Sequence, residues 1–270
     1  MFFPTDLGPD FLRIVKPLWE SSEPDHIRMR QVWSMLTGLQ GVVLSRILRD
    51  RVGNKVMLGP FKGMELTPDV QDAHFAPYLL GCYEWELHKV VEQAITHHYA
   101  QILNIGCYFG YYSIGFARRM PQIKAYAYDI DDKARKKCAR MVEANGVDDR
   151  VIIGERFNGE DYARMAGPET LVIMDIEGAE YELLNPDKYP ALRGMDVIVE
   201  MHDCYNPLIS ETIAHRFESS HHIEIFPNQP FYFPLEKIFG TGYVPNHFDS
   251  LIATWEGREG PTPWAVLKRK

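Results

Sequence analysis

Residues 101–129 read QILNIGCYFGYYSIGFARRMPQIKAYAYD, and this stretch decides the fold. The apolar run 102–105 precedes two glycines, Gly106 and Gly110, and the residues after them have the apolar spacing of a helix. A second apolar run then ends on Asp129. The order of strand, glycine turn, helix, strand and acid predicts the first unit of an α/β sheet that binds a nucleotide or nucleoside.

The residues of this unit narrow the choice of ligand. Glycine lets a ligand approach the backbone closely, and Asp129, 19 residues after Gly110 (129 − 110), is spaced to accept hydrogen bonds from ribose hydroxyls. Tyr108 stands where dinucleotide-binding folds place a second glycine, and its ring would crowd a pyrophosphate. A ligand without phosphate, such as S-adenosylmethionine (SAM), would tolerate it. A plain strand-to-helix turn without a ligand is the alternative.

Composition limits the class of protein. The 270 residues are 46% hydrophobic, enough for one large α/β domain with an appendage. The net charge of −8 speaks against nucleic acid or an anionic membrane as partner. The four cysteines include no C-x-x-C pair, which indicates reduced thiols and no zinc knuckle. We find no signal-peptide pattern and no apolar run of about 20 residues, so we expect a cytoplasmic protein.

We divide the chain into two parts. Residues 1–78 are predicted to form an N-terminal helical cap plus a hairpin, and residues 79–270 the α/β domain. Apolar stripes make residues 1–50 helical, either as a cap packed on the domain, as a surface for a homodimer, or as a lid over the substrate. Glycine turn signals predict the hairpin at residues 55–67.

The remaining elements follow from the apolar pattern. Helices are predicted at 79–95, 131–145 and 210–219. Five further strands are predicted at 150–154, 171–174, 197–199, 222–226 and 251–255.

Titratable residues follow two of these strands. Asp175 lies at the tip of the fourth strand, where α/β sheets place their chemistry. Glu200 and His202 end the fifth strand on one side, and a histidine there suits a general base, although it could equally hold a loop. Asp175, His202 and Asp203 would bind a divalent metal only if a loop let adjacent side chains converge. We therefore predict no metal site.

Two further acids have alternative interpretations. Glu84 falls in the predicted first turn of helix 79–95, where it either stabilises the helix dipole or accepts from the amino group of an amino-acid ligand. Glu155 follows the third strand, either as an exposed loop acid or as an acceptor for an adenine amino group.

Five stretches occur in the order and spacing of a known family: NIGCYFGYYS (104–113), YDID (128–131), EANGVDDRV (143–151), IMDIEGAEYELL (173–184) and IVEMHD (198–203). They resemble class I SAM-dependent methyltransferases. Within that class they resemble the FkbM-type group, whose mark is the D-x-E-G-A-E stretch after the fourth strand. The resemblance covers about residues 79–226. The glycine turn alone is unspecific, and its combination with the two acidic stretches is more specific.

The resemblance implies a Rossmann-like seven-stranded, mostly parallel sheet whose last strand is antiparallel, with helices on both faces and the helical cap beside it. It implies SAM as methyl donor and an oxygen of a small molecule or glycan as acceptor. It places the SAM-binding positions on Asn104, Gly106, Cys107, Gly110, Asp129, Ile130, Glu155 and Asp175.

One position departs from the family. Its members usually carry an acid where this chain has Asn104, so the charge that attracts the methionine ammonium is missing, and Glu84 is our candidate to supply it. His202 or Asp175, with Glu200 beside them, would take the proton from the acceptor hydroxyl. Two alternatives remain: an NAD-dependent oxidoreductase, against which Tyr108 argues, and a non-catalytic binding protein with the same fold.

Overall fold

A seven-stranded sheet forms the centre of the computed structural model of the chain. The structure describes residues 8–70, 74–167, 169–239, 245–258 and 260–270. The strands are β1 Gln101–Ile105, β2 Lys124–Tyr128, β3 Val151–Gly154, β4 Thr170–Met174, β5 Asp196–Glu200, β6 His221–Phe226 and β7 Trp264–Arg269.

The strand order is β3-β2-β1-β4-β5-β7-β6, and β7 alone runs antiparallel to its two neighbours. Ile105 of β1 pairs with Tyr128 of β2 on one side and with Met174 of β4 on the other. The carboxyl ends of these three strands are therefore level. The residues that follow them meet at one edge of the sheet, where α/β folds bind ligands.

Helices cover both faces of the sheet. They are α1 Gly8–Trp19, α2 Asp25–Val52, α3 Phe75–Leu80, α4 His88–Thr96, α5 Tyr111–Arg119, α6 Asp132–Asn145, α7 Glu180–Leu183, α8 Ile209–Phe217, α9 Glu236–Phe239 and α10 His247–Ala253. One core lies under α2 to α6 and the other under α8, because successive residues of β4 point to opposite faces: Leu171 to the first core and Val172 to the second. The predicted Rossmann-like fold class is confirmed.

The N-terminal helices combine a buried end with an exposed one. Leu44 and Leu48 of α2 are fully buried in the core that α3 and β1 share, whereas Met29 and Trp33 near its start are exposed. The helical expectation for residues 1–50 holds from residue 8 onward, and residues 1–7 lie outside the described part of the chain. The division at residue 78 stays a prediction. The expected hairpin is reduced to one antiparallel bridge, Lys55 with Glu65.

The predicted strand at 251–255 is wrong. Residues 247–253 form α10, and the last strand is β7. The helix forms because Asn246 caps it: the Asn246 side chain accepts from the Asp249 N–H at 2.9 Å, and the Asp249 side chain accepts from the Asn246 N–H at 3.0 Å. This reciprocal cap outweighs the strand propensity of the apolar run.

The predicted helix 79–95 is also wrong in its first half. Gly81 ends α3 in the left-handed conformation (φ +74°), and a Cβ there would lie 2.2 Å from the Leu58 carbonyl oxygen. The chain then turns through Glu84 (φ +47°) and a short 3₁₀ segment before α4 begins at His88. Glu84 therefore does not lie in the first turn of an α-helix. No helix in the described ranges is long and apolar enough to cross a membrane.

Candidate functional site

The glycine turn after β1 packs closely against the backbone at the end of β4. Gly106 has φ +79°, and a Cβ on it would lie 1.7 Å from the backbone oxygen of Asp175, so no other residue fits. The Asp175 N–H in turn donates to the Ile105 carbonyl at 3.0 Å. Gly110 also has a positive φ and precedes α5 directly. The sequence therefore places glycine where two strand ends meet.

Asp129 is fixed at the end of β2. Its two carboxylate oxygens accept from the Tyr108 N–H at 2.8 Å and from the Asp131 N–H at 2.9 Å. Ile130 beside it is 74% exposed, an unusual position for an apolar side chain, and Glu155 is exposed at the end of β3. These three residues offer an oriented carboxylate, an apolar surface and a second carboxylate at one edge of the sheet.

Asn104 near the end of β1 and Cys107 in the turn are both buried and already have partners within the fold. Asn104 is buried, and its side-chain oxygen accepts from the Ser113 hydroxyl at 2.8 Å. Cys107 is buried, and the hydrogen bond with Cys138 together with burial raises the pKa of its thiol well above the usual value. Asn104 nevertheless also lines the small cavity under the turn.

That cavity is small because tyrosines fill it. Its volume is about 30 Å³, against the roughly 300 Å³ at which ligand pockets begin. Tyr78 and Tyr83 stack on each other with ring centroids 4.0 Å apart, and Tyr111 and Tyr112 complete the wall. Burial, and after it the charge of Glu84, raises the pKa of the Tyr83 hydroxyl. The tyrosines thus occupy the space between the turn and the acids described next.

Glu84 lies next to this tyrosine cluster. It is 1% exposed, accepts a hydrogen bond from the Tyr112 hydroxyl, and lies 3.7 Å from the Arg258 guanidinium. Burial and the neighbouring charge of Glu200 raise the pKa of Glu84 well above that of a free glutamate. The predicted acid is therefore present next to the cavity, but it is already paired.

Arg258 connects the acids on this side of the site. Its guanidinium contacts Glu200, donates from Nε to Oε2 of Glu256 at 2.9 Å, and lies within 3.8 Å of Glu84 and Glu86. The charges of these carboxylates raise the pKa of Arg258 against the opposing effect of burial. Sequence reasoning missed Arg258, since it lies in a loop 58 residues beyond Glu200 with no motif around it.

His202 is the centre of a second group of acids. It is 3% exposed, and its Nδ1 lies 2.9 Å from Oε1 of Glu180, which is fully buried. Its Nε2 lies 3.4 Å from Glu177 Oε2 and 3.6 Å from both Asp175 Oδ1 and Glu200 Oε2. The nitrogen on the cleft side of the ring therefore faces three carboxylates from two strand ends.

The surroundings shift the pKa values of His202 and Asp175. Burial lowers the pKa of His202, but the hydrogen bond to Glu180 and the charges of Glu200 and Asp175 outweigh it and raise the pKa to about 9. Burial, and then the charge of Glu200, raises the pKa of Asp175 well above that of a free aspartate. The charges of Asp175 and His202 therefore act on each other's pKa, the histidine lowering that of the acid and the acid raising that of the histidine.

Asp203 is not part of this group. Its two oxygens accept from the backbone N–H and the hydroxyl of Ser210, at the start of α8. The alternative metal set of Asp175, His202 and Asp203 is therefore wrong in its third member. Glu200 takes that place: one ligand atom from each of Asp175, Glu200 and His202 lies within 4.8 Å of the others, the one such group found in the described ranges.

A larger cavity of about 1210 Å³ is lined in part by Arg258 and by two of the acids around it. Trp33 of α2 and Phe248 of α10 lie on its wall with ring centroids 5.6 Å apart. The segment 228–231 and the residues Glu86, Glu256 and Arg258 contribute polar atoms. α2, α10 and the loop before β7 thus line a half-open cavity with aromatic and polar walls.

Neither a protein-family model nor a curated protein matches this chain. Among solved structures, it is similar to an O-methyltransferase from Bacillus cereus in complex with SAH (S-adenosylhomocysteine), at 11% identity over 97% of this chain and 99% of the other, TM-score 0.45. A SAM-dependent O-methyltransferase from Thermotoga maritima gives 14% identity over 68% and 65%, TM-score 0.45. Precorrin-6y C5,15-methyltransferase from Geobacter metallireducens gives 10% over 67% and 86%, TM-score 0.45. With TM-scores below 0.5, these similarities carry no argument about the site.

The structure brings most of the predicted residues to one edge of the sheet. Around the turn and the two acid groups lie Glu84, Asn104, Gly106, Cys107, Gly110, Asp175, Glu200 and His202, and at the ends of β2 and β3 lie Asp129, Ile130 and Glu155. Sequence reasoning gave no binding or catalytic role to Tyr83, Glu177, Glu180 and Arg258. The strand tips gave a signal for Glu177 and Glu180, which belong to the acidic stretch after β4. The roles of all these residues stay predictions.

Proposed function

We propose that this protein transfers a methyl group from SAM to a hydroxyl oxygen of a small molecule or glycan. The observation that carries the proposal is an excess of negative charge at the carboxyl edge of β1, β4 and β5. Seven acidic side chains surround the guanidinium of Arg258 and the imidazole of His202: those of Glu84, Glu86, Asp175, Glu177, Glu180, Glu200 and Glu256.

Such an excess favours a cationic ligand. SAM carries a sulfonium and an ammonium, and only one carboxylate. A dinucleotide carries a pyrophosphate, which the acids would repel and which Tyr108 would crowd. The electrostatics of the site therefore support SAM over NAD, the first alternative that the sequence left open.

The residues at the edge of the sheet fit SAM unequally. Asp129 is held for a ribose, Ile130 offers an apolar face to an adenine ring, and Glu155 is placed to accept from its amino group. The methionine half does not fit as the side chains stand, because the tyrosine-lined cavity holds only about 30 Å³. We expect Tyr78 and Tyr83 to change position when SAM binds.

The chain's own residues then have three tasks. They hold the donor at the glycine turn, hold the acceptor next to it, and remove a proton from the acceptor hydroxyl. SAM, when bound, supplies the activated methyl group. The carboxylate of Asp175 and Nε2 of His202 lie 3.6 Å apart and are our candidates for the third task, and Glu180 on Nδ1 fixes the orientation of the imidazole. Because the neighbouring acids raise the pKa of His202 to about 9, the imidazole can act as base only in its neutral form.

The 1210 Å³ cavity is the chamber that we propose for the acceptor. Arg258 lines it and also contacts Glu200, so the chamber adjoins the acids around His202. Its aromatic walls and polar floor suit a molecule with both apolar surface and hydroxyl groups. The FkbM-type subgroup and a cytoplasmic location remain parts of the proposal that rest on the sequence.

Calorimetric titration with SAH tests the donor site, with NADH as control. We expect micromolar binding of SAH alone, and Asp129→Asn should weaken it about tenfold or more, because a charged acceptor for the ribose is lost. Asp132→Asn, an exposed acid in the next helix, is the matched control and should bind like the parent chain. Binding of NADH in place of SAH would overturn the donor assignment.

A variant of His202 tests the catalytic part. His202→Ala should keep SAH binding and lose methyl transfer, measured as SAH release from SAM over a panel of hydroxylated acceptors. The expected loss is about 10²–10⁴-fold, the usual contribution of a general base. Retained turnover in this variant would remove His202 from the reaction.

A second candidate function has one specific observation in its favour. The tyrosine-filled cavity and the neutral Asn104 suit a protein of this fold that binds a partner and does not methylate. Absence of SAH binding to the parent chain, with the fold intact by circular dichroism, would favour this second candidate.

A further inference from the structure

We propose that Asp175, Glu200 and His202 bind one divalent metal ion. The three side chains extend from the ends of the neighbouring strands β4 and β5, and one ligand atom of each lies within 4.8 Å of the others. Both carboxylate oxygens lie 3.6 Å from Nε2 of His202. Ligand atoms bound at about 2.0–2.2 Å from one ion lie roughly 3.0–3.6 Å apart, so small side-chain shifts complete the site.

The orientation of His202 is an independent observation that points to a cation. With Nδ1 on the buried Glu180, the ring presents Nε2 to the cleft, and the whole side chain is 3% exposed. That nitrogen lies 3.4–3.6 Å from three carboxylate oxygens, at ion-pair distance from each of them. A histidine whose second nitrogen is held by a carboxylate is the usual arrangement of a metal ligand.

The competing explanation is an imidazolium that these acids surround at 3.4–3.6 Å. A divalent ion would have to displace the proton on Nε2, because histidine binds a metal as the neutral ring. Titration with a metal ion separates the two explanations.

Glu200 shows how the site would keep its charge in balance. One of its oxygens, Oε1, contacts Arg258, and the other, Oε2, faces His202. Arg258 therefore compensates Glu200 from outside and leaves one oxygen for an ion. Glu180 holds His202 through Nδ1, on the side of the ring away from the site. Glu200 and His202 are therefore each oriented by a second residue outside the ligand set.

The ligand chemistry selects the kind of ion. Two carboxylates and one imidazole form a mixed hard and borderline set, which suits Mn²⁺ and similar divalent ions that keep bound water. Asp175 is about one third exposed, so the open side of the site faces the cleft. An acceptor hydroxyl is a natural occupant of that side, because a bound divalent ion lowers the pKa of an oxygen ligand.

This inference does not rest on the proposed methyl transfer, since the three ligands converge whatever the reaction. It changes the role of two residues: as ligands, Asp175 and Nε2 of His202 hold an ion, and neither is then the general base. The two roles exclude each other at that nitrogen, and metal binding separates them without an activity measurement.

The experiment titrates the chelator-treated full chain with MnCl₂ and follows the electron paramagnetic resonance signal of free Mn²⁺. We expect one ion per chain and a rise of the melting temperature on binding. Asp175→Asn should weaken binding about tenfold or more and abolish the rise, as should His202→Gln. Asp203→Asn is the matched control, since that carboxylate adjoins His202 but bonds Ser210, and it should bind like the parent chain.

Each outcome decides the matter. Lack of saturable binding to the parent chain, or equal binding to Asp175→Asn, would overturn the site. Circular dichroism without metal checks each fold, and Asp175→Asn decides if His202→Gln fails to fold, because Asp175 is partly exposed and its replacement relieves repulsion with Glu200. SAH titration of the metal-free chain keeps the two proposals apart: SAH binding without Mn²⁺ binding supports the donor site alone.

Discussion

Gly106 lies where β1 and β4 come closest, and the missing side chain allows that approach. Gly106→Ala would bring a Cβ to 1.7 Å from the Asp175 backbone oxygen at φ +79°. We expect the variant to lose the roughly 1–2 kcal/mol of a left-handed non-glycine residue plus about 1–3 kcal/mol of overpacking. Gly146→Ala, at φ +60° with open space around it, should lose only the first part. Equal losses in urea unfolding would contradict the steric argument.

Arg258 lies within 4 Å of four carboxylates at once. Arg258→Met would leave Glu84, Glu86, Glu200 and Glu256 without their partner, and breaking a buried ion pair costs about 3–5 kcal/mol. Arg140→Met removes an exposed pair with Asp69 and should cost about 0–1 kcal/mol. Urea unfolding of both variants measures the difference. A loss in Arg258→Met as small as in the control would show that the acids rearrange freely.

The residues of the site differ in how far a sequence can reveal them. Asp129, Asp175 and His202 follow buried apolar runs, and the rule that strand ends carry chemistry is enough to find them. Their partners are set by packing between distant segments: Glu180 is 22 residues from His202, and Arg258 is 58 residues from Glu200. Spacing carries no code for such contacts, so the charge balance of the site was not predictable.

At the scale of elements, the pattern of burial explains both successes and errors. β1 and β4 are buried on both faces, and their sequences are mainly apolar, with Asn104 as the polar residue inside β1. The sequence located both strands to within a residue. α10 and β7 were confused because both are short and apolar, and the cap between Asn246 and Asp249 decides for the helix. The break between α3 and α4 depends on Gly81 contacting Leu58, a contact far along the chain.

The start of β6 gives a pH-dependent prediction. His221 is buried, with Nε2 donating to the Met195 carbonyl at 2.8 Å and Nδ1 accepting from the Ser220 hydroxyl at 2.8 Å. Burial lowers its pKa below the usual 6.5, so the unfolded chain takes up a proton first as the pH falls. The stability that neutral His221 gives is complete above about pH 6.5 and is lost below it, by at most about 1.4 kcal/mol per pH unit.

Urea unfolding at pH 7.5 and pH 5.0 checks this loss. His221→Gln should show a smaller fall in unfolding free energy between the two pH values than the parent chain. His98→Gln, at an exposed position after α4, is the matched control and should fall as the parent chain does. An identical fall in His221→Gln would mean that other groups carry the acid sensitivity.

At the scale of the whole molecule, two surfaces stand out: the acidic site and the exposed apolar part of the N-terminal helices. Part of the excess of acidic residues lies inside the site, where seven acidic side chains surround Arg258 and His202. The buried end of α2 joins the N-terminal helices to the same core as the sheet, while their other end presents apolar residues to solvent. The first surface suits a cationic ligand, and the second suits another protein chain.

The exposed stripe of the N-terminal helices carries the dimer prediction. Leu12, Trp19 and Met29 are each more than half exposed, although they are large and apolar. If the stripe pairs two chains, light scattering after size exclusion gives 62.4 kDa (2 × 31.2), and Trp19→Ser with Met29→Ser gives 31.2 kDa. Ile152→Ser, an exposed apolar residue on β3, is the control and should leave the dimer intact. A parent chain that elutes at 31.2 kDa over micromolar concentrations would end the dimer interpretation and leave the stripe as the outer face of the cap.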